Sequence, residues 1–226
     1  AYPAVEAWGF TTGEYRVPSQ QELDALLPLV DDSRVELDGT TLTLPEGVEL
    51  DLGAVAKGYT GQRLAQLLRD AGVTSALLQL GGSVTAVGSN PDGSPWRVAV
   101  TDPSDPSAVL GVLLLEDTSA VTSGGYQRYF TQNGVTYHHI IDPETGHPAD
   151  SGLLSVTVVC SNATLADLLS TAAFVLGEED ALDLWRAEGG FELLLVTEDG
   201  RIVATSGLED LFSLELNLDA PLEIVC

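Results

Sequence analysis

Leu153-Leu154-Ser155-Val156-Thr157-Val158-Val159-Cys160-Ser161-Asn162-Ala163-Thr164-Leu165-Ala166-Asp167-Leu168-Leu169-Ser170-Thr171 is the stretch from which the fold is read. Leu153–Cys160 is rich in valine and leucine, which predicts a buried strand. Asn162 stands where a helix N-cap belongs and Gly177 closes the run, so a helix is expected over Ala163–Leu176. Asp167 and Thr171 lie one turn apart on that helix. They therefore share a face and offer a carboxylate and a hydroxyl to a hard cation. Their neighbours Leu168, Leu169, Ala172, Ala173, Phe174 and Val175 are apolar. A carboxylate on so buried a helix needs a partner, which is either a nearby cap, an arginine or a bound ion.

Further elements follow on both sides. A short helix is expected around Glu179–Ala187, then a hairpin of Glu192–Val196 and Ile202–Ala204 across Asp199-Gly200. Upstream, Ser19 and Glu22 read as a capping box for a helix with Leu23, Leu26, Leu27 and Val30 on one face. Arg34–Leu44 reads as a hairpin turning at Asp38-Gly39. Asp51–Ala71 has a glycine-rich entry and then a helix whose apolar stripe is Leu64, Leu67 and Leu68, stopped by Gly72. Leu77–Val87 reads as one strand interrupted by Gly81-Gly82, with further strands at Trp96–Val100 and Val109–Leu115. Asn133-Gly134 predicts a hairpin turn leading to Tyr137. Strands and helices are mixed without regular βαβ alternation, so the expected fold class is α+β.

Composition excludes several functions. The 226-residue chain carries 9 basic against 34 acidic residues, a net charge of −25. Such a surface repels nucleic-acid phosphates and anionic membranes alike. If the ligand carries phosphates, a cation must mask the repulsion at the site. No apolar run approaches the roughly 20 residues that span a bilayer, and no signal-peptide pattern is visible. The two cysteines, Cys160 and Cys226, form no Cys-x-x-Cys motif. Cys160 reads as a buried thiol.

Several clusters carry candidate chemistry. In Asp51-Leu52-Gly53-Ala54-Val55-Ala56-Lys57-Gly58-Tyr59 the glycines permit close backbone approach, the following helix start favours an anion, and Lys57 adds a point charge. The Gly-x4-Gly-Lys spacing of a Walker loop is absent, and a plain helix start with a solvated lysine is the competing reading. All three histidines fall in one run, His138-His139-Ile140-Ile141-Asp142-Pro143-Glu144-Thr145-Gly146-His147. Histidine titrates nearest neutral pH and ligates metals, yet Pro143 and Gly146 intervene and no fourth ligand is spaced for zinc. Ser123-Gly124-Gly125-Tyr126 and Gly81-Gly82 are small-residue breaks where a ligand or a second backbone comes near.

Taken in order, Trp8-Gly9-Phe10, the Asp51–Tyr59 segment, Leu80-Gly81-Gly82, Thr122-Ser123-Gly124-Gly125-Tyr126, His139–Gly146 and Ala166-Asp167 through Thr171 resemble the ApbE family of FAD:protein FMN transferases. The match runs from about residue 3 to about residue 212. The resemblance implies that family's α+β domain over residues 1–226. Members usually carry a long segment ahead of the Trp-Gly-Phe motif that contacts the flavin ring, so the domain is expected to be N-terminally incomplete. It implies FAD as substrate, bound near Lys57, Gly53, Gly58, Gly81, Gly82, Ser123 and Gly124, with His139 against the nucleotide and Asp142 holding its loop. It implies Mg²⁺ held by Asp167, Thr171 and the main-chain oxygen of Ala54. FMN would pass to a Ser or Thr of an acceptor flavoprotein, releasing AMP. Asp167 or His139 would take the hydroxyl proton. Water in place of the hydroxyl would give FMN and AMP, and a non-catalytic FAD-binding module is the third reading. Relatives are commonly exported lipoproteins, so an extracytoplasmic location, periplasmic or cell-surface, is expected, with a cytoplasmic one left open.

Overall fold

The computed structural model describes residues 2–215 and 221–226. In chain order the helices are α1 (Tyr2–Ala7), α2 (Gln20–Leu26), α3 (Ala56–Asp70), α4 (Ala163–Leu176) and α5 (Glu178–Glu188). The strands are β1 (Glu36–Asp38), β2 (Thr41–Thr43), β3 (Ala76–Leu80), β4 (Ser83–Val87), β5 (Trp96–Thr101), β6 (Val109–Leu115) and β7 (Ser119–Gly124). They continue as β8 (Tyr129–Gln132), β9 (Val135–His138), β10 (Leu153–Cys160), β11 (Glu192–Thr197), β12 (Ile202–Thr205), β13 (Phe212–Leu214) and β14 (Leu222–Val225). Contacts divide the chain into two units, Ala1–Leu52 with Gln127–Ala149, and Gly53–Tyr126 with Asp150–Cys226.

The second unit is built on a sheet ordered β14-β12-β11-β10-β7-β4-β3. Every neighbouring pair in it is antiparallel except β12 with β14. Strand alternation gives this sheet two buried faces. On one, Val84, Ala120, Val159, Leu194 and Val196 pack with Val98, Val100, Leu113 and Phe212 of the small sheet β13-β6-β5. On the other lie α3 and α4, against β4, β7 and β10. Apart from that parallel edge pair the sheet is antiparallel, which agrees with an α+β chain rather than a doubly wound one.

The strand and helix that decide the fold have the expected bounds. Asn162 caps α4 by accepting from Leu165 N–H at 3.1 Å, and Gly177 ends it at φ +85°. Cys160 is buried and, like Cys226, is a free thiol.

Three expectations need correction. The apolar stripe expected on α3 is not its buried face. Leu64 and Leu67 are 37% and 58% exposed, while Gly58, Gly61 and Ala65 are buried. Small residues win because the helix runs so close to its neighbours: a Cβ on Gly58 would sit 2.1 Å from the Ala163 carbonyl oxygen, and one on Gly61 2.9 Å from Thr85 Oγ1. Leu77–Val87 is not one broken strand but the β3-β4 hairpin. Gly81 (φ +52°) and Gly82 (φ +90°) are both left-handed, as a tight two-residue turn between the paired Leu80 and Ser83 requires. In the first hairpin Asp38 pairs with Thr41, so the turn is Gly39-Thr40 rather than Asp38-Gly39.

The first unit holds the β1-β2 and β8-β9 hairpins and an aromatic core. Trp8 and Phe10, which follow α1, are fully buried with Leu23, Phe130 and Ile141. Ser19 caps α2 by accepting from Glu22 N–H. Asn133-Gly134 makes the expected β8-β9 turn, both residues at positive φ.

Candidate functional site

The start of α3 has no side-chain cap of its own, because Val55 occupies the N-cap position. The cap comes from α4. Asp167 Oδ2 accepts the Gly58 N–H at 2.8 Å, and its Oδ1 lies 3.5 Å from Lys57 Nζ. The exchange is mutual: Gln62 Oε1, on α3, accepts the N–H of Ala163 at the start of α4, at 2.8 Å. Each helix thus satisfies an end group of the other, and glycine at position 58 permits the approach. Asp167 is 1% exposed. The partner this buried carboxylate needed is a helix end, whose positive dipole suits it, together with one lysine.

The rest of the cluster lies on the same side of the sheet. Ser123, on β7, bonds Ser170 Oγ at 2.9 Å and Thr171 Oγ1 at 3.1 Å. Ser170 in turn donates to the Asp167 carbonyl at 2.9 Å. The β3-β4 turn passes beside the lysine, since a Cβ on Gly81 would be 4.0 Å from Lys57 Cδ. Gly82 contributes its carbonyl to Thr122 N–H. Gly124 is needed because Tyr126 lies against it, 2.5 Å from where a Cβ would stand. Gly53 and Ala54 form the turn leading into α3.

Of the expected residues, the structure therefore brings together Lys57, Gly58, Gly81, Ser123, Asp167 and Thr171. The N–H of Gly58, one of the glycines near which FAD was expected, is taken by Asp167. Gln62 and Ser170 were missed. Their roles depend on partners far away in sequence, and only the serine's place between Asp167 and Thr171 hinted at one.

Among the described residues, no three His, Cys, Asp or Glu side chains cluster to hold a metal. A cation here would rest on one carboxylate and neutral oxygens. Asp167, Thr171 and the Ala54 carbonyl are all hard oxygen donors, which fit Mg²⁺ and not zinc.

His139 and Asp142 belong to the first unit. Asp142 builds its loop: Oδ1 accepts from Glu144 N–H at 2.8 Å, Oδ2 from the Thr145 hydroxyl at 2.9 Å, and its carbonyl from Gly146 N–H. Trp8 Nε1 donates to the Gly146 carbonyl at 2.7 Å. His139 Nδ1 lies 3.1 Å from the Arg128 carbonyl. A carbonyl only accepts, so Nδ1 carries the hydrogen of that bond. His138 is different: burial pushes its pKa below the usual value, and its Nε2 is 3.1 Å from the Ala149 carbonyl.

Residues 1–195 match the ApbE family. The chain belongs to that family. It is 36% identical over 208 residues to the FAD:protein FMN transferase of Klebsiella pneumoniae (strain 342), covering 90% of this chain and 64% of that protein. It is 36% identical over 226 residues to that of Treponema pallidum (strain Nichols), covering 91% and 62%. The chain thus spans a little under two thirds of the length of these curated relatives. Among solved structures, the ApbE protein of Thermotoga maritima superposes with a TM-score of 0.86 at 35% identity, over 93% of this chain and 70% of that one. The apo form of Pseudomonas stutzeri flavinyl transferase ApbE gives 0.81 at 33%, over 95% and 68%. The α+β architecture described above is the ApbE one.

Proposed function

We propose that this ApbE-family protein moves FMN from FAD to a Ser or Thr hydroxyl of an acceptor protein and releases AMP. The observation that carries this reading is the buried Asp167 carboxylate held between Lys57 and the start of α3, with the Thr171 hydroxyl on the same helix face. The FAD:protein FMN transferases among its relatives support it.

The charge arithmetic supports it too. In a chain of net charge −25, a diphosphate needs local cations. Lys57 supplies one, and Asp167, Thr171 and the Ala54 carbonyl would hold Mg²⁺ as another. When bound there, the ion would offset diphosphate charge and favour in-line attack at phosphorus. The turn at Gly81-Gly82 runs beside the lysine, where the nucleotide would lie.

In the transfer, the acceptor oxygen bonds to the FMN phosphorus while the bond from that phosphorus to the bridging oxygen breaks. AMP leaves with the bridging oxygen, and the hydroxyl proton passes to a base. Positioning supplies most of the acceleration in such a reaction. Asp167 and His139 are the two candidate bases. An extracytoplasmic location belongs to the same proposal.

The test incubates the purified protein with FAD, Mg²⁺ and a flavoprotein acceptor bearing a Ser or Thr site. The acceptor should gain the mass of one FMN less water, with AMP released in equal amount. AMP release without acceptor labelling would favour hydrolysis. No AMP from wild type would leave a binding module, and product lost in Asp167→Ala would exclude one.

A further inference from the structure

The direction of the hydroxyl bonds around Asp167 is set from the carbonyl end. Ser170 Oγ is 2.9 Å from the Asp167 carbonyl, which only accepts, so the single Ser170 proton is committed there. Ser123 lies 2.9 Å from Ser170 and must then donate to it. With its own proton so used, Ser123 can only accept from Thr171, at 3.1 Å. Among the described residues, the other acceptor near the Thr171 hydroxyl is again the Asp167 carbonyl, at 3.5 Å. In either case the Thr171 proton points back into the protein.

We infer that Ser170 and Ser123 are positioning residues, forming a one-way hydroxyl chain anchored on the Asp167 carbonyl that keeps the Thr171 oxygen lone pairs available to a cation. This rests on the metal reading proposed above and adds the means by which a neutral hydroxyl is made a dependable ligand. A hydroxyl that is free to rotate presents its proton to the ion part of the time. Ser170 touches neither ion nor substrate. It acts through the direction it imposes on Ser123, and it is fully buried, so water cannot substitute for it.

The chain makes an unusual prediction. In Ser170→Ala the Ser123 proton loses its acceptor and turns to Thr171, occupying a lone pair meant for the ion. In Ser123→Ala no such competitor exists. The more distant serine should therefore matter more, and removing both should repair part of the defect. The measurement is Mn²⁺ binding to the purified protein, followed by electron paramagnetic resonance without any turnover. Ser170→Ala should weaken Mn²⁺ binding about three- to tenfold, the scale of one hydrogen bond, while Ser123→Ala and the double variant, in which the Thr171 proton keeps only its longer bond to the Asp167 carbonyl, should fall between that variant and wild type. Melting curves check that each variant is folded. Ser170→Cys, a weaker donor, provides the same comparison if the alanine variant does not fold.

Ser170→Ala within twofold of wild type, or a double variant no better than Ser170→Ala, would overturn the chain. Asp167→Ala separates the two levels of the argument. If it binds Mn²⁺ as tightly as wild type, the metal reading fails and this inference with it. If it does not, a failure among the serine variants belongs to the chain alone.

Discussion

Gly58 donates its backbone N–H to Asp167 Oδ2 at 2.8 Å, so a carboxylate from α4 caps the first turn of α3. The same glycine leaves no space for a side chain, since a Cβ there would lie 2.6 Å from the Asp167 Cβ and 2.1 Å from the Ala163 carbonyl. Gly58→Ala must push the two helices apart. It should cost more than about 2 kcal/mol, at the upper end of overpacking penalties. Gly61→Ala meets only the Thr85 hydroxyl at 2.9 Å and should cost less. Urea denaturation of the two variants side by side checks the order.

Asp167 has a structural duty and a proposed chemical one, and two substitutions separate them. Asn at this position still offers an oxygen to Gly58 N–H, so Asp167→Asn should stay within about 1 kcal/mol of wild-type stability. Asp167→Ala deletes the cap and should lose about 1–2 kcal/mol. Lys57 is well exposed and returns to water in both. Both should lower AMP release at least about a hundredfold, because both remove the anionic ligand. An Asn variant that is fully active would confine Asp167 to capping.

These roles show which parts of the molecule could be read from the chain. Strand β10 and helix α4 were legible because their signals are local: a valine-rich run, an Asn cap and a closing Gly. The face of α3 was not. Leucines at helical spacing outweigh glycines in any periodicity, yet close helix packing selects the residues without bulk, and Leu67 remains in solvent. Likewise Gly81-Gly82 reads as a break in a strand until positive φ at both residues makes it a turn. Asp167 and Thr171 were identifiable as a pair by their spacing. Their surroundings were not, because Gln62, Ser123 and the α3 start meet them only through tertiary contact.

His138 gives the stability a pH dependence. Burial lowers its pKa from 6.5, so the unfolded ring takes up a proton at a higher pH than the folded one. As pH falls through 6.5 the unfolded state binds more protons, and stability drops by at most about 1.4 kcal/mol per pH unit. The drop ends once pH is below the folded value. Carboxylates such as Asp117, held below its usual pKa by Arg69 and Gly88 N–H, act only at lower pH. Urea midpoints between pH 8 and pH 5 should show a step that His138→Gln removes.

The indole of Trp8 holds the loop that Asp142 folds. Trp8 is 0% exposed and donates to the Gly146 carbonyl, while the Asp142 carboxylate binds Glu144 N–H and the Thr145 hydroxyl. Trp8→Phe leaves a buried carbonyl without its donor and a gap beside it, which should cost about 2–4 kcal/mol. Asp142→Ala loses two bonds on an exposed loop and should cost about 1 kcal/mol. Their local signatures differ more than their magnitudes. Asp142→Ala should speed hydrogen exchange at the Glu144 amide directly, whereas Trp8→Phe should leave that amide protected until the aromatic core itself opens. Because both act on the segment ending at Gly146, the double variant should lose less than the sum of the two. A strictly additive loss would mean that the indole and the carboxylate stabilise separate pieces of the first unit.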